Sequence, residues 1–275
     1  MTNDRFDEEA AEWDRNRFTV NSSKRALGAL LVPIPELRKY RDVRDGLTVL
    51  ELGCGTGLLS QILSPYVTSL TALDTSPAMI AALSAKLVAK PWPQPVAFAP
   101  QILAQNIRPI CLDLRDPDDA ALQDVVVNST GDQGGRGKKR FDLVVGHLVC
   151  HHVKDLGGLL GTMYGCLKEG GRIALTDFED FGVEARRFHP ESKMEGVERH
   201  GLKREEMEKL IKEAGFVDVR VEEAWRMEKE VEGATGGDGE VEVMEFPFLI
   251  CLGRKGGVIN DRDGGAGEEG KSMTW

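Results

Sequence analysis

The chain has 275 residues, 41% of them hydrophobic, with 35 Lys and Arg against 45 Asp and Glu for a formal net charge of −10. That is enough apolar material for one large domain or two small ones. No apolar run is long enough to span a bilayer, and the acidic balance argues against a duplex nucleic-acid binder, which presents a basic face.

The opening "MTNDRFDEEA" is polar and acidic, unlike a secretory signal or an organelle transit peptide. Five cysteines (Cys54, Cys111, Cys150, Cys166, Cys251) are scattered without a CxxC pair. They read as buried thiols of a reducing compartment rather than as a zinc ribbon or disulfide framework. The expected location is the cytoplasm, with the nucleus also open.

Residues 6–40 read as helical. Phe6, Ala10, Trp13 and Phe18 form an approximate stripe, and Ser22 or Ser23 is placed to cap a helix with Ala26, Leu27, Leu30 and Leu31 on one face. After Pro33 and Pro35 comes a charged connector, and then strand and helix patterns alternate. "LTVLEL", "VTSLTALD", "RPICLDL", "FDLVVGHLV" and "GRIALTDF" read as strands. "LLSQILSPY", "TSPAMIAALSAKLVAK", "PDDAALQDVVV", "DLGGLLGTMYGCL" and "KREEMEKLIKEAGF" read as helices. In the second of these Ser76 can cap and Pro77 suits the first helical position. "FVDVRVEEAW" and "EVMEFPFLICLG" are strand-like with no helical pattern between them, so they pair antiparallel. The expected fold is an α/β, Rossmann-like, doubly wound sheet of about seven strands. It is mostly parallel, with an antiparallel strand near the C-terminal end.

Three Gly-rich polar stretches are too polar to bury a core: residues 128–140, residues 233–240 and the C-terminal tail. The first carries Arg136, Lys138, Lys139 and Arg140, which read as a solvated loop more readily than as a patch for an acidic partner.

The stretch "VLELGCGTGLLS" carries most of the chemistry. A strand ends at Glu51-Leu52, Gly53, Gly55 and Gly57 follow, and a helix begins. Glycine there permits left-handed backbone and clears side chains from a ligand, and the helix start offers free amides. A dinucleotide fingerprint would need glycine at 58, which is Leu58, and no Walker GK[ST] closes the turn. Asp74 ends the next strand, where an acid can accept hydrogen bonds from a ribose diol. Asp113 stands at the end of the third strand, where an acid can accept from an exocyclic amine while Leu114 lies against a purine. Three carboxylates at one sheet edge would repel phosphates. The implied ligand is therefore a nucleoside with a cationic or amine-bearing group.

At this point "VLELGCGTG", "LTALDTSPAMI", "CLDL", "FDLVVGHLVCHHV" and "LKEGGRIALTDF" resemble, in order, the motifs of class I S-adenosylmethionine-dependent methyltransferases. The resemblance covers about residues 45–220. "FDEEAAEWDRNR" is similar to the N-terminal helix of a small-molecule branch, the ubiquinone- and menaquinone-type enzymes, in which it forms a lid. The resemblance implies S-adenosyl-L-methionine as cofactor and a role for each matched residue. Gly53, Cys54, Gly55 and Gly57 would line its methionine part, Cys54 through backbone and small size. Glu51 would hold the loop and the amino group, and Asp74 with Thr75 the ribose. Met79 would pack on the adenine, Asp113 with the Leu114 amide would read its edge, and Gly146 would lie beside the sulfonium. An (N/D)PP(Y/F) motif is absent, and "GHLVCHH" stands in its place.

All five histidines fall between residues 147 and 200, the window expected to lie over the acceptor. His147 and His151 are the candidate catalytic residues, since imidazole titrates near neutrality and can take a proton. Metal spacing such as HExxH is absent, so no metal is expected. The expected division is a helical lid over residues 1–45, a methyltransferase domain over 46–252 and a disordered tail over 253–275. The expected acceptor is a small molecule, with no DNA partner and no membrane span. The alternatives are a protein or RNA acceptor, or a cofactor-binding scaffold with little turnover.

Overall fold

Strand β1 (Thr48–Leu52) shows how the sheet is built. Val49 joins one hydrophobic cluster and Leu50 the other, because successive strand residues point to opposite faces. Four of its five residues are buried, as a parallel strand covered on both sides requires. The computed structural model describes residues 4–38, 46–88, 106–123, 138–232 and 241–256.

Seven strands form one sheet in the order β3-β2-β1-β4-β5-β7-β6. The others are β2 (Ser69–Asp74), β3 (Ile107–Cys111), β4 (Phe141–His147), β5 (Leu167–Phe178), β6 (Phe216–Glu232) and β7 (Val241–Lys255). The first five pair in parallel, and β7 runs antiparallel to both β5 and β6. The helices are α1 (Asp4–Glu9), α2 (Arg17–Leu31), α3 (Leu58–Leu63), α4 (Pro77–Val88), α5 (Ala120–Gln123), α6 (Leu156–Cys166) and α7 (Arg204–Glu213). Two clusters cover the sheet faces, one around Leu50, Val144, Leu160 and Ile173, the other around Val49, Leu143, Leu30 and Leu63. A third, around Phe178, Phe188, Phe246 and Phe248, sits where β5 meets the last hairpin. No helix among the described residues is long and apolar enough to cross a membrane.

The N-terminal expectations need correction. The cap of α2 is Asn16, whose Oδ1 accepts from the amides of Phe18 at 2.9 Å and Thr19 at 3.3 Å. Ser22 and Ser23 lie inside that helix and are buried. The Phe6-to-Phe18 stripe is not one helix, since α1 ends at Glu9 and a 3-10 turn follows at Trp13–Arg15. Residues 1–45 are not one lid either. Ala26 and Leu30 of α2, with Ile34 and Leu37 beyond it, are sealed in the core beside Val49 and Ile250. Among the described N-terminal residues, 4–15 lie outside these clusters.

The C-terminal boundary also moves, because β7 pairs with β6 as far as Lys255 and with β5 as far as Arg254, past residue 252. Of the stretch 128–140, Lys138, Lys139 and Arg140 are described. They are not a free basic patch, because Lys138 and Arg140 both pair with Asp118 and Lys139 lies over the Phe141 ring. Arg136, residues 233–240 and the tail from 257 lie outside the described residues.

Candidate active site

The sheet order reverses between β1 and β4: the chain fills β1 to β3 outward on one side, then returns to place β4 on the other. Ligands of such sheets bind at that switch point, beyond the carboxyl ends of the strands. Gly53, Gly55 and Gly57 leave β1 there with φ of 64°, 54° and 80°. A Cβ on Gly53 would stand 2.6 Å from Val149 Cγ2, and one on Gly57 2.3 Å from Leu83 Cδ1. A Cβ on Gly55 would meet only Trp13 Nε1, at 3.7 Å. Side chains crowd two of these positions, while at the third a Cβ would stand in ordinary contact with Trp13.

Asp74 fastens this loop. Its Oδ2 accepts from the Gly55 amide at 2.8 Å and its Oδ1 from the Ser76 amide at 2.9 Å. Burial raises its carboxyl, with the Ser76, Gly55 and Thr75 amides working against the rise. Cys54 N donates to Leu73 O at 2.9 Å, and the Cys54 thiol is buried and pushed up by that burial. Its contribution is backbone and size.

Glu51 is 2% exposed. Ser60 Oγ donates to it at 2.6 Å, and no cation pairs with it among the described residues. Burial pushes its carboxyl up to about 8, against the Ser60 bond and with help from Asp74. A buried carboxyl, held protonated, thus stands at the root of the glycine loop.

Residues 4–15 lie over this loop. Thr56 Oγ1 donates to Asp14 at 2.5 Å, and Lys86 pairs with Asp14 while donating to Thr56 O at 2.7 Å. Asp7 Oδ1 accepts from Ser76 Oγ at 2.5 Å and from the Ala78 amide at 3.1 Å. On the far side Arg5 donates to the carbonyls of Lys193 at 2.5 Å and Glu195 at 3.0 Å. Phe6 stands edge-on to both Trp13 and His152. The segment therefore bridges the two walls of the crevice.

Other expected site residues divide. Gly146 is buried at the end of β4, where a Cβ would stand 2.9 Å from Val149 Cγ1. Thr75 is exposed beside Asp74. Met79 is sealed, 2% exposed, its amide donating to Ser76 Oγ at 3.1 Å. Its side chain packs inward, where an adenine ring could not meet much of it. Leu114 likewise packs its side chain into the core cluster. Asp113 lies two residues past β3, exposed, with its carboxylate held by Arg115 at 2.7 Å. The structure does not turn that carboxylate toward the glycine loop.

The histidines stand on the β4 and β5 side. His147 Nε2 lies 2.9 Å from Ser22 Oγ and its Nδ1 2.9 Å from Thr176 Oγ1. Thr176 Oγ1 points at Gly146 O, 3.5 Å away. Nδ1 therefore donates to Thr176, and Nε2 accepts from Ser22. Burial lowers the His147 imidazole to about 4, so it is neutral. His151 is fully enclosed: its Nδ1 meets Asp177 Oδ1 at 2.8 Å, and its amide donates to Asp177 Oδ2 at 3.1 Å. Burial alone would raise the Asp177 carboxyl, but its contacts with His151 outweigh that and hold it low. Asp177, Ser22, Thr176, Asp7 and Asp14 were not legible as site residues. Only Asp177 carried a signal, as the acid ending a fifth strand at the same edge.

A family model described as a methyltransferase domain matches residues 15–221. The chain belongs to the methyltransferase-domain family. The chain is 28% identical over 164 residues to an uncharacterized methyltransferase of Schizosaccharomyces pombe. The match covers 58% of this chain and spans about half, 49%, of that relative. Among solved structures, the N-methyltransferase NodS of Bradyrhizobium japonicum WM9, in complex with S-adenosyl-L-homocysteine, shares the fold with a TM-score of 0.51 at 17% identity. That likeness covers 92% of this methyltransferase and 97% of NodS. Magnesium protoporphyrin IX methyltransferase of Synechocystis PCC 6803, also with the demethylated cofactor bound, gives 0.50 at 15% identity over 86% and 84% of the two chains.

Proposed function

We propose that this methyltransferase moves a methyl group from S-adenosylmethionine to a small-molecule acceptor. The observation that carries the reading is Glu51, a buried carboxyl without a cationic partner beside a left-handed glycine loop at the switch point. The residues fit the cofactor: Gly55, the least crowded of the three glycines, admits it, and Glu51 answers its positive charge.

When bound, the cofactor supplies a methyl already activated on a sulfonium. The chain's own work is then binding, alignment and exclusion of water. Gly53, Gly55 and Gly57 would hold the methionine part. Asp74, its oxygens already fixed by the Gly55 and Ser76 amides, would offer its remaining lone pairs to the ribose. The Thr75 and Leu114 amides and Asp113 are placed around the base end, Asp113 on condition that it leaves Arg115. Holding the reacting atoms in line is worth ~7–11 kcal/mol of barrier when geometry is well kept. Residues 4–15 act as the lid over this arrangement.

His147 and His151 are the acceptor-side residues. His147 offers Nε2 to an acceptor hydroxyl that takes the place of Ser22, and Thr176 fixes the tautomer. In the His151–Asp177 pair the carboxylate holds Nδ1–H and leaves Nε2 to receive a proton or a ligand. The roof formed by the chain's own N-terminal residues leaves room for a small acceptor better than for a polymer. Of the basic residues that would favour RNA, Lys138 and Arg140 are engaged with Asp118. The test is release of S-adenosylhomocysteine from a panel of small phenols, amines and acids with no macromolecule added. Turnover only on added protein or RNA would overturn the acceptor class, and tight cofactor binding with no turnover on any acceptor would point to a scaffold.

A further inference from the structure

Three histidines outside the cofactor loop converge on one spot. His151 and His152 belong to the 3-10 turn Cys150–His152 after β4, and His189 follows the turn Val183–Phe188 after β5. Each offers a ring nitrogen, and the three nitrogens lie within 4.8 Å of one another.

Their tautomers are set by what they touch. Asp177 Oδ1 lies 2.8 Å from His151 Nδ1 and is placed to accept its proton, which leaves Nε2 free to offer a lone pair. That Nε2 is sealed in the interior, in a residue 2% exposed, with no hydrogen-bond partner. His152 Nδ1 stands 2.7 Å from Gly196 O, an acceptor only, so its Nε2 is also a bare lone pair. His189 Nδ1 is buried without a partner as well. Buried polar atoms in native proteins are hydrogen-bonded almost without exception. Two orphaned ring nitrogens on histidines that converge with a third to within 4.8 Å call for a shared electrophile.

We propose that His151, His152 and His189 form a binding site for a divalent transition-metal cation, Zn²⁺ foremost, with Asp177 as the outer carboxylate that orients His151. Neutral imidazoles suit Zn²⁺ and its transition-metal neighbours, not Mg²⁺ or Ca²⁺. Three protein nitrogens with a fourth position left for water or substrate is the ligand count of catalytic zinc. A carboxylate on the far ring nitrogen is the usual support of a metal-bound histidine. Zn–N bonds of ~2.0–2.1 Å would bring the nitrogens to about 3.4 Å apart, a closure that the partly exposed His152 and His189 can make by turning their rings. Arg5, the cation nearby, is occupied by Glu9 and the carbonyls of Lys193 and Glu195. Given the acceptor reading above, the fourth position would hold an acceptor oxygen. The metal site itself does not depend on that reading.

The test uses the full chain, stripped with a chelator and titrated with Zn²⁺ and, separately, Co²⁺, with S-adenosylmethionine binding measured on the same preparation. The expected result is one equivalent of either metal, with Co²⁺ giving the visible absorption of a four-coordinate nitrogen-ligated ion and no sulfur charge-transfer band. His189→Phe should abolish that equivalent, and Asp177→Asn should weaken it by about 10–100-fold. No uptake by the unmodified chain, uptake with a thiolate signature, or undiminished uptake by a folded His189→Phe chain would overturn the site. Cofactor binding without metal uptake would overturn this inference alone, and metal uptake without cofactor binding would overturn the methyl-transfer reading alone.

Discussion

Asp14 accepts the hydroxyl of Thr56 at 2.5 Å, across 42 residues of sequence, and so latches the N-terminal segment onto the glycine loop. Lys86 closes the same latch from α4. In the binding mode proposed above, a cofactor at the loop would pass this contact on its way in and out.

Asp14→Ala should therefore speed cofactor association and slow turnover, because the lid opens more easily and closes less well. The fold should lose only about 0.5–1.5 kcal/mol for each hydrogen bond removed. Stopped-flow fluorescence of Trp13, which sits beside Gly55, would follow the association step. An unchanged association rate would show that the cofactor enters by another route.

Glu51 links cofactor binding to protons. Its folded-state value of about 8 lies above the ordinary 4.5. The folded chain thus holds a proton that the unfolded chain has lost, and stability falls as pH rises from about 4.5 through about 8. A cationic ligand favours the carboxylate, so binding near pH 7 should release a proton. Calorimetry in phosphate and in Tris would give different apparent enthalpies, and Glu51→Gln should abolish the difference. Equal enthalpies for the unmodified chain in both buffers would place the cation elsewhere.

Asp74→Asn keeps the volume but turns an NH₂ toward an amide that needs an acceptor. Losing a charge-assisted bond costs ~1.5–3 kcal/mol, or about 10–100-fold in cofactor affinity. The circular dichroism spectrum should be retained, since the sheet ends before the loop begins. A folded variant with unaltered affinity would remove Asp74 from the ribose site.

His147→Gln should lower kcat by about 10²–10⁴-fold on an identified acceptor if His147 takes its proton, with cofactor affinity unchanged. Ser22→Ala should cost no more than about tenfold, the worth of one neutral hydrogen bond. Less than a threefold effect of His147→Gln would leave alignment as the chain's whole contribution.

Gly57→Ala tests packing rather than chemistry. The left-handed backbone costs ~1–2 kcal/mol for a residue with a Cβ, and the new methyl would meet Leu83 Cδ1 at 2.3 Å. Overpacking of that kind adds ~1–3 kcal/mol. Denaturant melts should show the sum, and a midpoint equal to that of the unmodified chain would mean that the loop relaxes freely.

The parallel strands, the glycine loop and Asp74 were legible because local rules specify them: alternation of elements, ExGxGxG spacing and an acid at a strand end. What escaped depends on chain segments far apart in sequence. Ser22 or Ser23 looked able to cap a helix, whereas α2 starts at Asn16 and buries Ser22 against His147. Lys138 and Arg140 looked solvated until Asp118 was placed beside them. The three-histidine cluster was hidden for the same reason. His151 and His152 are adjacent, but His189 comes from another strand's exit, so no linear spacing could reveal it.

Among the described residues, the strand order leaves β3 and β6 as the two margins of the sheet. An unpaired margin is a template on which a second chain can add a strand. Here β3 is five residues long and carries Pro109, which lacks one backbone donor. The outer 17-residue strand β6 is broken by irregularities at Val217/Arg220 and Glu223/Trp225 and crowded with Glu222, Glu223, Arg226, Glu228, Lys229 and Glu230. Both margins are therefore poor seeds for fibre growth, and the chain can keep a long hairpin at its edge without recruiting copies of itself.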